Sequence, residues 1–151
     1  MKRNYLQPAT VLLVTALVCG CAATPIPIEG EVPIPQTIEN VWYRPSLDKP
    51  GLAVMSDTGT LTVNNNSMEF AGGKERRRIA LAEIHRISFK KLGSDLINNW
   101  VVIEYGAKES PSYAVMSAGK ALGWAAGSDK IFATIEYVIK KNNFTSAEII
   151  R

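Results

Sequence analysis

The sequence predicts a mainly β domain that ends in one amphipathic helix. Apolar residues recur at every second position in short runs between residues 52 and 117, which is the pattern of half-buried antiparallel strands. Turn-forming residues separate these runs, and the first three runs lie too close together for crossover helices. After residue 128 the apolar spacing changes to three and four, which indicates a helix.

About seven strands follow from this pattern, and we expect them to form an antiparallel meander. The first three are centred on Leu52 and Val54, on Leu61 and Val63, and on Met68 and Phe70, and the other four span 76–81, 85–90, 100–105 and 112–117. The predicted turns are Asp57-Thr58-Gly59, Asn64-Asn65-Asn66 and Ala71-Gly72-Gly73. The run from Trp100 to Tyr105 has the strongest β propensity, with Val101, Ile103 and Tyr105 on one face.

The last element is predicted to be a helix of about 14 residues that covers the sheet. Ser128 is expected to cap its first free amides, and Asp129 lies in the positively polarised first turn. Two lysines close the last turn, and Asn142-Asn143 ends the helix. The apolar stripe consists of Phe132, Ile135, Val138 and Ile139.

The first twenty residues have the features of an export signal. Lys2 and Arg3 precede an apolar run over residues 9–18, and no acidic residue occurs before Glu29. A permanent membrane helix needs about 20 apolar residues, so this shorter run favours a cleaved signal.

The sequence Val18-Cys19-Gly20-Cys21 resembles the lipobox of bacterial lipoproteins, although Cys19 stands where Ala or Ser is usual. The resemblance implies cleavage between Gly20 and Cys21 and a diacylglycerol on the Cys21 thiol. Stable anchoring takes two or more acyl chains, which a diacylglyceryl cysteine supplies. In a double-membrane bacterium, the lipoprotein pattern with Ala22 in place of Asp implies transfer to the outer membrane, facing the periplasm. The alternative is a plain signal peptide followed by an ordinary pair of cysteines.

Residues 22–40 are predicted to be an extended tether, because their repeated Ile-Pro steps disfavour both helix and sheet ladder. The tether is either a spacer or a docking strip for another envelope protein. The chain then divides into a signal peptide (1–20), a lipidated cysteine with its Pro-rich tether (21–45), one β domain (46–144) and a tail (145–151).

The charge of the mature chain argues against nucleic-acid binding. Without residues 1–20 the chain has 15 basic and 14 acidic side chains, whereas nucleic-acid binding needs a strong positive field. Both cysteines lie in the signal and lipobox, so acylation leaves no thiol for a disulfide, a nucleophile or a metal site.

Seven short strands followed by one amphipathic helix resemble the pleckstrin-homology-like superfold and its bacterial and GRAM-type members. The stretches that carry the likeness are 59–63, 68–70, 79–84, 99–105 and the helix 128–142. The resemblance implies a small antiparallel barrel of two nearly orthogonal sheets, with the helix at one open end and lipid- or peptide-binding loops at the other. Another small β-barrel and an α+β envelope domain are the alternatives.

A basic run between residues 74 and 91 is the main candidate for binding. It holds seven basic and two acidic residues, a local charge of +5. Since arginine recognises phosphate through a bidentate fork, the run is interpreted either as a patch for anionic lipid, lipopolysaccharide or an acidic partner, or as a solvated strand edge. The candidate residues are Arg76, Arg77, Arg78, Arg86, Lys90 and Lys91.

The sequence indicates no catalytic constellation. His85 is the only histidine, and no Ser-His-Asp arrangement or phosphate-cradling glycine loop is present. We therefore expect no metal and no cofactor. Trp124 lies in a glycine-containing connection to the helix, where it either packs beneath the connection or contacts a partner.

These features favour a non-enzymatic lipoprotein of the bacterial envelope that binds protein or lipid while tethered to the membrane. An envelope hydrolase and a structural subunit of an envelope assembly are the two alternatives.

Overall fold

The computed structural model describes residues 30–47, 56–92, 95–118, 127–144 and 146–151. They form a mainly β structure of eight strands in one sheet, a short 3₁₀ turn (Leu81–Glu83) and one α-helix, as predicted for the fold class. The strands are β1 (Gln36–Arg44), β2 (Asp57–Val63), β3 (Ser67–Gly72), β4 (Arg76–Ala80), β5 (Ile84–Leu92), β6 (Asp95–Ala107), β7 (Ser110–Ala118) and β8 (Glu148–Ile150), and the helix is α1 (Ser128–Lys141).

The strand order is β4-β3-β2-β1-β7-β6-β5-β8, and only the β5-β8 pair is parallel. Although β4 and β5 are far apart in this order, only the 3₁₀ turn separates them along the chain, so the sheet bends round on itself. The order nevertheless has two ends, β4 and β8. The described sheet is therefore open, and the closed barrel expected from the sequence is not confirmed.

One apolar core lies inside the bend and contains buried residues from β1 to β7 and from α1. The helix packs against β5, β6 and β7, and Phe132 meets Phe89 edge to face with ring centroids 5.6 Å apart. On the opposite side of the core, Tyr43 stacks on Phe70 at 4.5 Å. Val101 and Ile103 face this core as predicted, with Tyr105 packed at its margin.

A second, smaller cluster lies on the outer face of β6 and β7. Trp100, Val102 and Val115 are fully buried there, with Trp42 beside them at 6.4 Å between the two indole centroids. Both faces of β6 are therefore apolar over residues 100–103, which explains the continuous hydrophobic run there.

The end of α1 follows the prediction, but its start does not. Asn143 has a positive φ of 53°, and the amides of Asn143 and Phe144 bond back to the carbonyls of Lys140 and Ile139, as in a Schellman motif. Ser128 does not cap the helix, because it is the first helical residue and Gly127 precedes it. Its buried hydroxyl instead lies 2.9 Å from that of Ser117 and accepts the amide of Ala118, which ties the helix to β7.

The folded domain extends further than the predicted boundaries at both ends. The expected tether contains β1, which bends at Asn40 (φ 57°) and pairs with β2 and, from Val41 onwards, also with β7. Asparagine tolerates this left-handed conformation, so the strand continues through a bulge. The expected tail contains β8, which pairs with residues 86–88 of β5.

Two of the predicted turns have different outcomes in the structure. Asn64-Asn65-Asn66 forms the expected turn, closed by the amide of Asn64 on the carbonyl of Ser67. Asp57-Thr58-Gly59, in contrast, is the start of β2: a Cβ on Gly59 would lie 2.1 Å from the carbonyl oxygen of Ala71, so glycine here permits close strand pairing. The first predicted strand, at residues 52–54, lies outside the described residues.

We expect Phe132→Ala to lower the free energy of unfolding by about 3–5 kcal/mol, because it removes a fully buried ring from the interface between helix and sheet. Urea denaturation of the two proteins measures the difference. Leu47→Ala is the control: this side chain is 36% exposed, and its removal should change stability by less than about 0.5 kcal/mol. Equal effects of the two substitutions would contradict the assigned core.

Candidate functional site

The six candidate basic residues lie on two strands that do not pair with each other. Arg76, Arg77 and Arg78 are on β4, an end strand of the described sheet, and Arg86, Lys90 and Lys91 are on β5. The run that is continuous in sequence is thus divided by the corner at Leu81–Glu83.

The three arginines of β4 also face different sides of the sheet. Arg77 pairs with Phe70 and shares the inner face with Ile79, whereas Arg76 and Arg78 point to the outer face, where Arg78 lies opposite Glu69. Alternation along a strand makes this division unavoidable, so three consecutive arginines do not form one row of charge.

Carboxylates pair with Arg76, Arg77 and Arg86. Arg76 lies 3.2 Å from Glu69, and Arg77 lies 2.9 Å from Glu75. Arg86 lies between two glutamates, 3.4 Å from Glu104 on β6 and 2.8 Å from Glu148 on β8. These exposed pairs contribute little stability individually, but they reduce the positive potential that the sequence count suggested.

Arg78 and Lys90 have no ion pair within the described part of the chain, and both are exposed. Lys91 is exposed as well. The unpaired charge closest to the sheet's edge is therefore Arg78, with Arg76 beside it at 76% side-chain exposure.

Arg77 lies at the margin of the core, near Glu75 and two tyrosines. The hydroxyl of Tyr43 is buried and has no hydrogen-bond partner among the described residues, and burial together with the nearby Glu75 raises the pKa of Tyr43 to about 12. The hydrogen bond to Glu75, helped by Tyr105 and Tyr43, raises the pKa of Arg77. Arg77 is thus a cation near a tyrosine that stays neutral at physiological pH.

Arg86 has a structural position at the seam between β5 and β8. The bond to Glu148 is the main reason that the pKa of Arg86 is raised, and Glu104 adds to it. A polar depression of about 350 Å³ lies next to this cluster, lined in part by His85, Lys108 and Ser146. The Nε2 atom of His85 contacts the carbonyl oxygen of Gly106, so the histidine packs against backbone.

Asp57 organises the hairpin that leads into the arginine strand, a role the sequence did not indicate. Its carboxylate accepts the backbone amides of Lys74 and Glu75 at 2.8 Å each, as well as the amide of Thr58. A Cβ on Gly72 would lie 2.2 Å from the Asp57 carboxylate, so a larger residue there would displace the carboxylate from its position. The pair Gly72-Gly73 was the available signal, because consecutive glycines often let backbone amides converge on an anion.

The amide of Lys74 is the main cause of the lowered pKa of Asp57; burial opposes the shift, and the amides of Glu75 and Thr58 add to it. The carboxylate is therefore charged at neutral pH and holds the loop at 72–75, which sets the start of β4.

Gly20, Cys21 and Trp124 lie outside the described residues, so their predicted roles remain predictions. Among the described residues, no helix has the length and apolar character required to cross a membrane. The same part of the chain holds no cluster of three or more His, Cys, Asp or Glu side chains arranged for a metal ion.

The chain matches no protein family. No curated protein matches it either. Among solved structures it is similar to the hSac2 domain from human phosphoinositide phosphatase Sac2, with 13% sequence identity and a TM-score of 0.48 over 79% of each chain. A likeness at this level carries no argument about function.

Asp57→Asn is expected to reduce stability at pH 7, because the amide group cannot accept the Lys74, Glu75 and Thr58 amides as the carboxylate does. Since folding lowers the pKa of Asp57 from 3.8, its contribution is complete above that pH and is lost as the pH falls through the folded pKa. Urea denaturation from neutral to acidic pH should show the difference between wild type and variant shrinking in acid. Glu109→Gln, in the exposed β6-β7 loop, is the control and should show no such convergence.

Arg86→Gln should loosen β8, since Arg86 pairs with Glu148 at 2.8 Å. We expect the amides of residues 148–150 to exchange about two- to fivefold faster in hydrogen exchange, the range for an exposed ion pair. Lys90→Gln is the matched control on the same strand and should leave these amides unchanged. Equal exchange in wild type and Arg86→Gln would show that β8 does not depend on this pair.

Proposed function

We propose that the protein is a non-enzymatic lipoprotein of the bacterial envelope that binds an anionic partner while tethered to a membrane. The observation that carries the proposal is the sequence Val18-Cys19-Gly20-Cys21, which follows a basic start and a short apolar run. With Ala22 after the cysteine, the outer membrane, facing the periplasm, is the proposed location.

The way the chain joins the fold supports a domain held close to its anchor. Val32 is 4% exposed, Ile34 packs against the core, and Glu31 lies 3.7 Å from Lys141 at the end of α1. The part free to act as a tether therefore ends near Gly30. Nine peptide units from Cys21 to Gly30, at up to ~3.6 Å each, span at most roughly 32 Å.

For the finer fold we propose an open version of the pleckstrin-homology-like arrangement. Seven antiparallel strands precede one helix, the short turn between β4 and β5 folds the two halves of the sheet over one core, and α1 covers β5 to β7. The bend of β1 at Asn40 supports this arrangement, because it lets one strand belong to both halves.

The binding surface that we favour is β4 rather than the whole basic run. Arg86 is engaged by two glutamates at the β8 seam, so its charge is committed within the fold. Arg76 and Arg78 lie on the exposed end strand, where an anionic partner has access to them. A structural subunit of an envelope assembly is the competing function. It would use an extended apolar contact surface at a position other than β4.

Cys21→Ser should abolish labelling by a clickable fatty acid and leave the protein unprocessed or soluble after cell fractionation. The physical reason is that the diacylglyceryl thioether is the proposed anchor, at about 0.8 kcal/mol per buried methylene. Cys19→Ser is the matched control, because serine is usual at that lipobox position, and it should keep both label and membrane association. Labelling that survives Cys21→Ser, or is lost in Cys19→Ser alone, would refute the assignment.

A further inference from the structure

We propose that the free edge of β4 binds an extended acidic polypeptide, which adds to the sheet as a further strand. The proposal deepens the binding function proposed above by naming the surface, the partner's chemistry and the mode of recognition.

The ladder between β3 and β4 shows which backbone groups face outwards. The amide of Gly72 bonds to the carbonyl of Glu75, and the amide of Leu81 bonds to the carbonyl of Asn66, one at each end of the ladder. In an antiparallel pair, residues that bond across the ladder alternate with residues that point away. Glu75 and Leu81 face β3, and hence Arg76, Arg78 and Ala80 direct their N–H and C=O groups away from the sheet.

This edge has no neighbour among the described strands, since β4 ends the sheet order. An edge of unpaired amides and carbonyls is the surface that accepts an added strand. Residues 76–78 are all exposed to solvent.

The side chains beside this edge select for acid on one face of the incoming strand. Arg76 and Arg78 project from the outer face, where Glu69 pairs with Arg76 and lies opposite Arg78 in the strand register. Opposite charges placed across neighbouring strands are favourable, whereas like charges are not. The inner face at the same edge carries the buried Ile79 and Arg77, which is paired with Glu75, so a partner alternating acidic and apolar residues would place its acids on the outer face.

A second copy of this chain does not suit the edge. Antiparallel pairing of two β4 strands about Arg78 would set the two Arg78 side chains opposite each other. It would also place Arg76 of each copy diagonal to Arg78 of the other. The arginines thus repel self-pairing while they attract an acidic strand.

Ala80 provides a substitution that tests the backbone alone. Its φ of −73° and ψ of 131° suit proline, and its outward N–H takes no part in the β3 ladder. Ala80→Pro therefore removes one edge donor and preserves the arginines, while Ala80→Ser keeps the donor and serves as the matched control. Urea denaturation shows whether both variants are folded.

The probe is a capped peptide of seven alternating glutamate and valine residues, titrated into the full-length protein in nanodiscs of neutral phosphatidylcholine and followed by NMR. We expect the largest amide shifts at Arg76, Arg78 and Ala80, and about tenfold weaker binding by Ala80→Pro, as for the loss of one hydrogen bond. Ala80→Ser should bind like the wild type. A peptide with lysine in place of glutamate should not bind.

A second measurement does not depend on whether Ala80→Pro folds. The same peptide is N-methylated either at its glutamates or at its valines, and each pattern blocks the amides of one strand edge only. Only one of the two methylated peptides should bind the wild-type protein. Equal binding of both methylated peptides, or of the lysine peptide, would overturn strand addition. Binding of phosphatidylglycerol vesicles without peptide binding would also overturn it and assign β4 to lipid headgroups. Fatty-acid labelling at Cys21 is scored separately, so failure here is distinguishable from failure of the tether.

Discussion

The turn Leu81–Glu83 imposes the constraint on which the rest of the fold depends. It joins β4 to β5 with three residues, although these strands lie in different halves of the sheet order, so the sheet has to curve. Ile79, Leu81 and Ile84 are all buried at this corner and secure it with apolar contacts. The curved sheet creates one concave face, and α1 is the element that covers it. The same corner separates the basic residues of β4 from those of β5 and so decides which of them act together.

Much of the β content was predictable from the sequence because its strands are amphipathic at period two and its turns carry Asn or Gly. β1 was missed because the surrounding prolines and the bulge at Asn40 interrupt the alternation. β8 was missed because it has three residues and is held by side chains distant in sequence: Glu148 by Arg86, and the following Arg151 by Glu136. Burial alone would raise the pKa of Glu136 on α1, but Arg151 and Lys140 lower it overall, so the carboxylate stays charged although it is buried.

The candidate site could likewise be predicted only in part, because the partners of its residues are distant in sequence. Counting charges between residues 74 and 91 cannot include Glu69, Glu104 and Glu148, which come from other strands and pair with Arg76 and Arg86. Nor does the count distinguish the faces of β4. The backbone register supplies what composition cannot, because alternation alone determines that Arg76 and Arg78 share a face and that Arg77 belongs to the margin of the core. Asp57 holds the hairpin before β4 by accepting amides 17 and 18 residues away, a contact that only the pair Gly72-Gly73 indicates in the sequence.

The burial of Val32 and the packing of Ile34 have a consequence for affinity. They shorten the tether. If Cys21 is acylated as proposed, the domain therefore samples only a thin layer above one leaflet. A partner anchored in that leaflet would meet it at an effective concentration in the millimolar range, the value typical of short linkers. An intrinsically weak contact would then be largely occupied in two dimensions, whereas the same contact between freely diffusing molecules would need millimolar concentrations to reach that occupancy.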